Sequence, residues 1–385
     1  MRLQYLISFL AAGVSAVPDE PFPRCAECLP ASIHDAPGVG FGLSFSSATA
    51  AAHLFNGDVV DIILVDASPH YVELMARLVD IDKPPTLSRL DKWRRSINKK
   101  LGWPATPDVG TLADMLVDLR NAATLALASP IDRVAVSHPP IIGLTEYDLS
   151  DALEYAGLRP WLASELPRPK RQWPPLPQAG MYPAKLTEGH AVFAAHKKGL
   201  CENYKDLFEC WEEEEPMALE TVLVAGFTKG DIRAEVLSLQ APFESFQDEE
   251  VIDKFWNLSG GLDVADEFGS REEYWDFVRY RLELLVSGLP KRLTMVMLTG
   301  ENATHPGFLN TLLYVLRRRG YSLGNGEDQV LVVSGEGHVD PEYASARGAA
   351  QYARWRQEAP IGCMEVKDCE DERRRHTDDE RVELR

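Results

Sequence analysis

Positive charge is scarce in this chain. Forty Lys and Arg stand against 59 Asp and Glu, a formal charge of −19. No Lys/Arg cluster compensates, so nucleic acid is a disfavoured partner and the average field opposes anionic lipid. Long apolar runs are missing as well: nothing reaches the roughly twenty residues a membrane-spanning helix needs. The nine histidines form no HExxH and no zinc-like pair, His190 and His196 being six apart. A Gly-x-Ser-x-Gly elbow is also lacking, because Gly42-Leu-Ser44-Phe-Ser46 has no final glycine. No short repeat marks a solenoid. What is present is a chain of 385 residues, 45% apolar, long enough to bury a sizeable core; collagen-like, coiled-coil and wholly disordered readings are excluded.

The N-terminus reads as a processing signal. Arg2 precedes an apolar stretch, Tyr5 to Val14, and Val14-Ser15-Ala16 supplies small residues for cleavage after Ala16. A secreted or secretory-lumen protein is expected. The six cysteines agree, falling as local couples Cys25/Cys28, Cys201/Cys210 and Cys363/Cys369. Three disulfides are expected, with a link from Cys25 or Cys28 to the C-terminal pair left open. Asn257-Leu-Ser259 and Asn302-Ala-Thr304 are glycosylation candidates on that route.

The expected organisation is a signal (1–16), a Pro/Cys-rich segment (17–37), a first lobe (38–192), a disulfide-closed acidic insertion (193–220), a second lobe (221–357) and a Cys-containing segment with a charged tail (358–385). The first lobe opens with an alternating stretch from Gly38 to Ala52, a turn at Asn56-Gly57 and a β-branched strand from Val59 to Val65. Helices are expected at Pro69 to Leu78 and Thr111 to Leu127, a strand at Arg133 to Ser137, and a helix capped at Thr145. Leu158 to Val192 is proline-rich and without period. In the second lobe, strands are expected at Thr221 to Ala225, Ile232 to Leu239, Leu293 to Leu298 and Gln329 to Ser334. Helices are expected at Arg271 to Ser287, Gly307 to Arg319 and Pro341 to Gln357. Twice, a hairpin opening leads into α/β, as in a duplicated lobe around a central cleft.

Five segments, in order, carry a resemblance. Arg133-Val-Ala-Val-Ser-His-Pro-Pro140 leads to Ala156-Gly157-Leu158; Leu186-Thr-Glu188-Gly-His-Ala191 forms a turn; Val222-Leu-Val-Ala-Gly226-Phe-Thr-Lys-Gly230-Asp231 forms a second hairpin. Leu298-Thr-Gly300-Glu-Asn302-Ala and Asp340-Pro341-Glu342 with Ala346-Arg-Gly-Ala-Ala350 complete the set. Their order resembles the nucleotide-binding domain of the seventy-kilodalton heat-shock chaperones, within the actin-like ATPase superfamily. The resemblance implies a bilobal α/β fold of the duplicated ribonuclease H type, with ATP and Mg²⁺ in the cleft. It places Ser44, Ser46 and Ser47 on the first phosphate hairpin, Gly226, Thr228, Lys229 and Gly230 on the second, Gly300 and Glu301 on the adenosine loop, and Glu188 at the attacking water.

The chain departs from this pattern where charge matters. Ser44 and Gly226 stand where the family has metal-binding aspartates, and Ser46 replaces a glycine. Hydroxyls cannot hold a divalent ion as carboxylates do. A glycan on Asn302 would compete with adenine. No peptide-binding domain is expected after the last helix. The expectation is therefore a secreted, non-catalytic scaffold or binding protein with weak or no ATP binding and an unidentified protein partner. The alternative is an active ATPase using Glu188, Asp231 and the serines of the first hairpin.

Overall fold

In the computed structural model, the described residues are 28–160, 186–205, 207–243, 251–289, 292–324, 329–333, 339–358, 365–366, 368–373 and 375. The expected signal, the sequences around Cys25 and Cys363, and most of the proline-rich stretch lie outside them.

Two mixed sheets form, each with a lobe of helices. In the first, β1 (Gly38–Leu43), β2 (Ser47–His53) and β3 (Val59–Asp66) make an antiparallel meander, and β4 (Arg133–His138) and β5 (Arg159–Pro160) add in parallel to give the order 3-2-1-4-5. The short β6 (Leu186–Thr187) pairs with β4. The second sheet has β7 (Glu220–Phe227), β8 (Ile232–Leu239) and β9 (Val251–Asn257) as the meander, then β10 (Met295–Thr299) and β11 (Leu331–Val333) in parallel. Its order is 11-10-7-8-9, the same pattern as the first.

Two expectations are corrected here. The stretch from Gly38 to Ala52 is two strands reversing at Ser44–Ser46, because the Ser44 N–H donates to the Ser47 carbonyl at 2.9 Å. The strand β9 and a following 3₁₀ turn (Leu262–Glu267) were not anticipated, since Asp253 and Lys254 interrupt the apolar run.

Period-two alternation assigns each strand two jobs. On β1, Val39, Phe41 and Leu43 face the outer core, where α2 (Pro69–Val79), α4 (Pro107–Leu127) and α5 (Glu146–Tyr155) bring Leu74, Leu116 and Leu149. Helix α4 starts at Thr106, whose hydroxyl accepts from the Val109 N–H, and at Pro107, which suits a first turn. In the second lobe α8 (Arg271–Ser287) and α9 (Pro306–Arg318) cover Leu223, Ala225 and Phe227; Phe227 stacks on Phe308 at 4.6 Å.

The other strand faces look toward two central helices, α6 (Glu188–Ala195) and α10 (Ala344–Glu358). These are exchanged between lobes. Helix α10 follows the second sheet but packs on β1, β2 and β4, whereas α6 follows the first sheet and reaches β8 and β10. Backbone meets backbone at both contacts: a Cβ on Gly40 would lie 2.1 Å from the Ala350 N, and one on Gly348 only 1.7 Å from the Ala191 O. Glycine is required there by space. Arg347 of α10 also forks onto Asp61 of β3 at 2.6 and 2.5 Å.

The termini are tied together. Cys28 is bonded to Cys369, 341 residues away, and Cys201 to Cys210. The Cys201/Cys210 couple is as expected, but Cys28 joins the C-terminal pair, the arrangement left open, and not its neighbour Cys25. Proximity of the chain ends in the fold decides this: the Leu29 N–H donates to Glu365 at 2.5 Å, and Arg373 pairs with Glu365 at 2.8 Å. The acidic insertion includes the short helix α7 (Leu207–Glu214); before that helix, Tyr204 stacks on Trp355 of α10 at 4.6 Å.

Candidate functional site

The two hairpin tips meet. Ser46 on the first lies 3.3 Å, hydroxyl to hydroxyl, from Thr228 on the second, and a Cβ on Gly230 would sit 3.1 Å from the Ser46 Cβ. Ser44 is held by its backbone, its carbonyl accepting from the Tyr71 hydroxyl at 3.0 Å. The Ser44 Oγ is buried with no hydrogen-bond partner among the described residues. Ser47 is buried at the start of β2, opposite Asp66.

The second tip is closed on itself and on its neighbours. Thr228 Oγ1 donates to Asp231 Oδ1 at 2.6 Å and accepts from the Asp231 N–H at 2.9 Å. The carbonyls of Thr228 and Lys229 accept from the N–H groups of Leu262 and Asp263, both at 3.0 Å. The Lys229 N–H donates to Glu301 at 2.7 Å, and its ammonium lies 3.7 Å from Asp66, across the lobe boundary. Gly300, at φ +95°, donates its N–H to the Pro341 carbonyl at 2.9 Å, and Asn302 donates its backbone N–H to Phe227 at 3.1 Å. The loop after β10 is thus stitched to the hairpin. The Asn302 Nδ2, the atom a glycan would modify, is buried. Asn257 closes β9, its Oδ1 accepting from the Ser259 N–H at 3.0 Å.

At the centre stands Arg233, which the sequence reading did not single out. It projects from β8 toward α6, directly across the strand pair from Gly226. A Cβ on Gly226 would fall 2.6 to 2.9 Å from the Arg233 side chain, so the missing side chain makes the room the arginine occupies. Its Nε and Nη2 donate to Glu188 at 2.8 and 2.7 Å, and Nη1 donates to Asp231 at 2.5 Å. The Thr299 hydroxyl donates to the same Glu188 at 2.8 Å, and Phe45 covers the guanidinium at 5.7 Å. All three charged residues are buried. Burial acts to lower the Arg233 pKa, but the charges and hydrogen bonds of Asp231 and Glu188 outweigh it and hold the group above its ordinary value. An arginine forked between two carboxylates is a fixed ion cluster.

The signal for Arg233 was present in the alternation of β8: Ile232, Ala234 and Val236 join the outer core, which leaves Arg233 on the face toward α6. Nearby on α6, His190 is buried and shares a hydrogen bond of 2.6 Å with the Thr187 hydroxyl; desolvation pushes its pKa down to about 4.

These residues do not fit Mg²⁺ and ATP. Both Glu188 oxygens are engaged by Arg233, Asp231 is engaged by Arg233 and Thr228, and Ser44 and Gly226 bring no carboxylate. Among the described residues, the His/Cys/Asp/Glu group close enough to share an ion is Cys201, Cys210 and Glu214, and its two sulfurs are bonded to each other. No protein-family model and no curated protein matches the chain.

Proposed function

We propose that the chain is a non-catalytic scaffold or binding protein, secreted, built on the actin-like duplicated ribonuclease H architecture with its cleft sealed by its own arginine. Supporting the architecture are the same strand order in both sheets, the apposed hairpins and the two exchanged helices between them. The observation that carries the functional reading is Arg233, which occupies the volume opened by Gly226 and engages Glu188. In this reading the internal cation replaces the ion and phosphates that would otherwise bridge the lobes. A carboxylate whose charge already faces two guanidinium nitrogens and a hydroxyl is a weak base toward water. The two disulfides fit an oxidising compartment.

Calorimetric titration of the oxidised protein with ATP and Mg²⁺, beside a phosphate-release assay, tests this. Neither heat nor phosphate is expected. Turnover that disappears in Glu188→Gln would overturn the reading and make the protein an ATPase.

A further inference from the structure

Helix α3 (Arg89–Lys100) is packed with its polarity reversed. Its inward face carries Arg95, buried, which pairs with Asp148 and approaches Asp151 at 3.3 Å, and Lys99, which pairs with Asp151 at 2.8 Å and Glu154 at 2.5 Å. All three carboxylates come from α5, Glu154 from its last turn. Ion pairs thus hold the helix to the lobe. Helical spacing then turns Leu90 and Trp93 outward, with Ile97 half-buried, and the chain continues into Leu101 and Trp103. Leu90, Trp93, Leu101 and Trp103 are 53, 60, 58 and 61% exposed, a run of large apolar side chains along one helix and its exit, called the ridge below. Between the same helix and α5 lies a cavity of about 430 Å³ lined by Lys92 and Lys100 as well as by Arg95 and Lys99, the last two already paired with the α5 carboxylates. Lys92 lies over the Tyr147 ring at 5.7 Å, at the same cavity.

We propose that this ridge docks on an anionic phospholipid surface, with Trp93, Leu90, Leu101 and Trp103 at the boundary between headgroups and acyl chains and the cationic cavity taking a headgroup phosphate. A ridge of Trp and Leu flanked by Lys and Arg is the side-chain set an interfacial helix uses. The helix is itself basic, carrying Arg89, Lys92, Arg94, Arg95, Lys99 and Lys100 against Asp91, a balance that fits an anionic surface. The formal charge of −19 does not forbid this, because exposed acids more than about 8 Å away are screened at physiological salt. The proposal is independent of the nucleotide reading.

Co-sedimentation of the full oxidised chain with vesicles of phosphatidylcholine alone, or of phosphatidylcholine mixed with phosphatidylserine, tests it. Binding is expected to the mixed vesicles only, to weaken with salt, and to drop about tenfold or more in Trp93→Ala/Trp103→Ala and in Lys92→Glu/Lys100→Glu, with the thermal melt unchanged. No binding to mixed vesicles, or binding equal in both variants, overturns it. So does self-association that the Trp variant abolishes without vesicle binding, which would make the ridge a contact between copies. Loss of vesicle binding in inorganic phosphate at matched ionic strength would assign the cavity to a soluble anion and likewise overturn the lipid surface.

Discussion

Between the lobes, Arg233, Glu188 and Asp231 lie in the interior, while on α3 the side chains of Leu90 and Trp93 lie in solvent. Both places reverse the usual distribution of polar and apolar groups, and they do so with opposite consequences. The buried charges engage one another, so they fasten the second hairpin to α6. The exposed apolar groups leave more than half of their surface in water, and that part is still available to a partner. A buried cluster is thus a lock, and an exposed ridge is an offer.

Breaking the lock should have the largest effect. Arg233→Met leaves Glu188 and Asp231 buried without their cation and is expected to lower stability by about 4 kcal/mol, read from denaturant midpoints. Adding Glu188→Gln should recover part of that loss, since one uncompensated charge is then gone; a double variant no more stable than Arg233→Met would show that the pair is not coupled.

Acid probes the same junction. The His190 imidazole stays neutral in the fold down to about pH 4, whereas in the unfolded chain it titrates near 6.5. The unfolded chain therefore takes up the proton first. Its contribution is full above pH 6.5 and declines as pH falls toward 4, by about 3 kcal/mol in all. In His190→Gln the slope of stability against pH should flatten across that window.

The smallest expected effect sharpens the other half. Trp93→Ala should change stability by no more than about 0.5 kcal/mol, because the side chain is mostly in water. A substantial loss would mean that the ridge is part of the fold and not a surface kept for a partner.

Much of the architecture was legible where local signals agree. Helix α8 runs from Arg271 to Ser287 as expected because Ser270 caps its start, accepting from the Glu273 N–H at 3.2 Å, and Gly288 follows its end. The reversal at Ser44–Ser46 was missed as a strand boundary because it contains no glycine or proline. The exchange of α6 and α10 was not legible, since periodicity reports that a helix has an apolar face but not which sheet receives it. Glu188 could be chosen from its motif, yet its partner could not: Arg233 lies 45 residues on, and pairing across that distance is set by packing. The same limit applied to Cys28, whose partner is 341 residues away.

That last bond also decides how the molecule answers to mechanical load. Among the described residues, a pull that reaches Cys28 from one side and Cys369 from the other passes through the bond between their sulfurs. Every sheet and helix between them is then slack, and tension reaches neither the hairpins nor the glycine contacts of α10. Reduction would turn the same fold from a bystander into the element that carries the force.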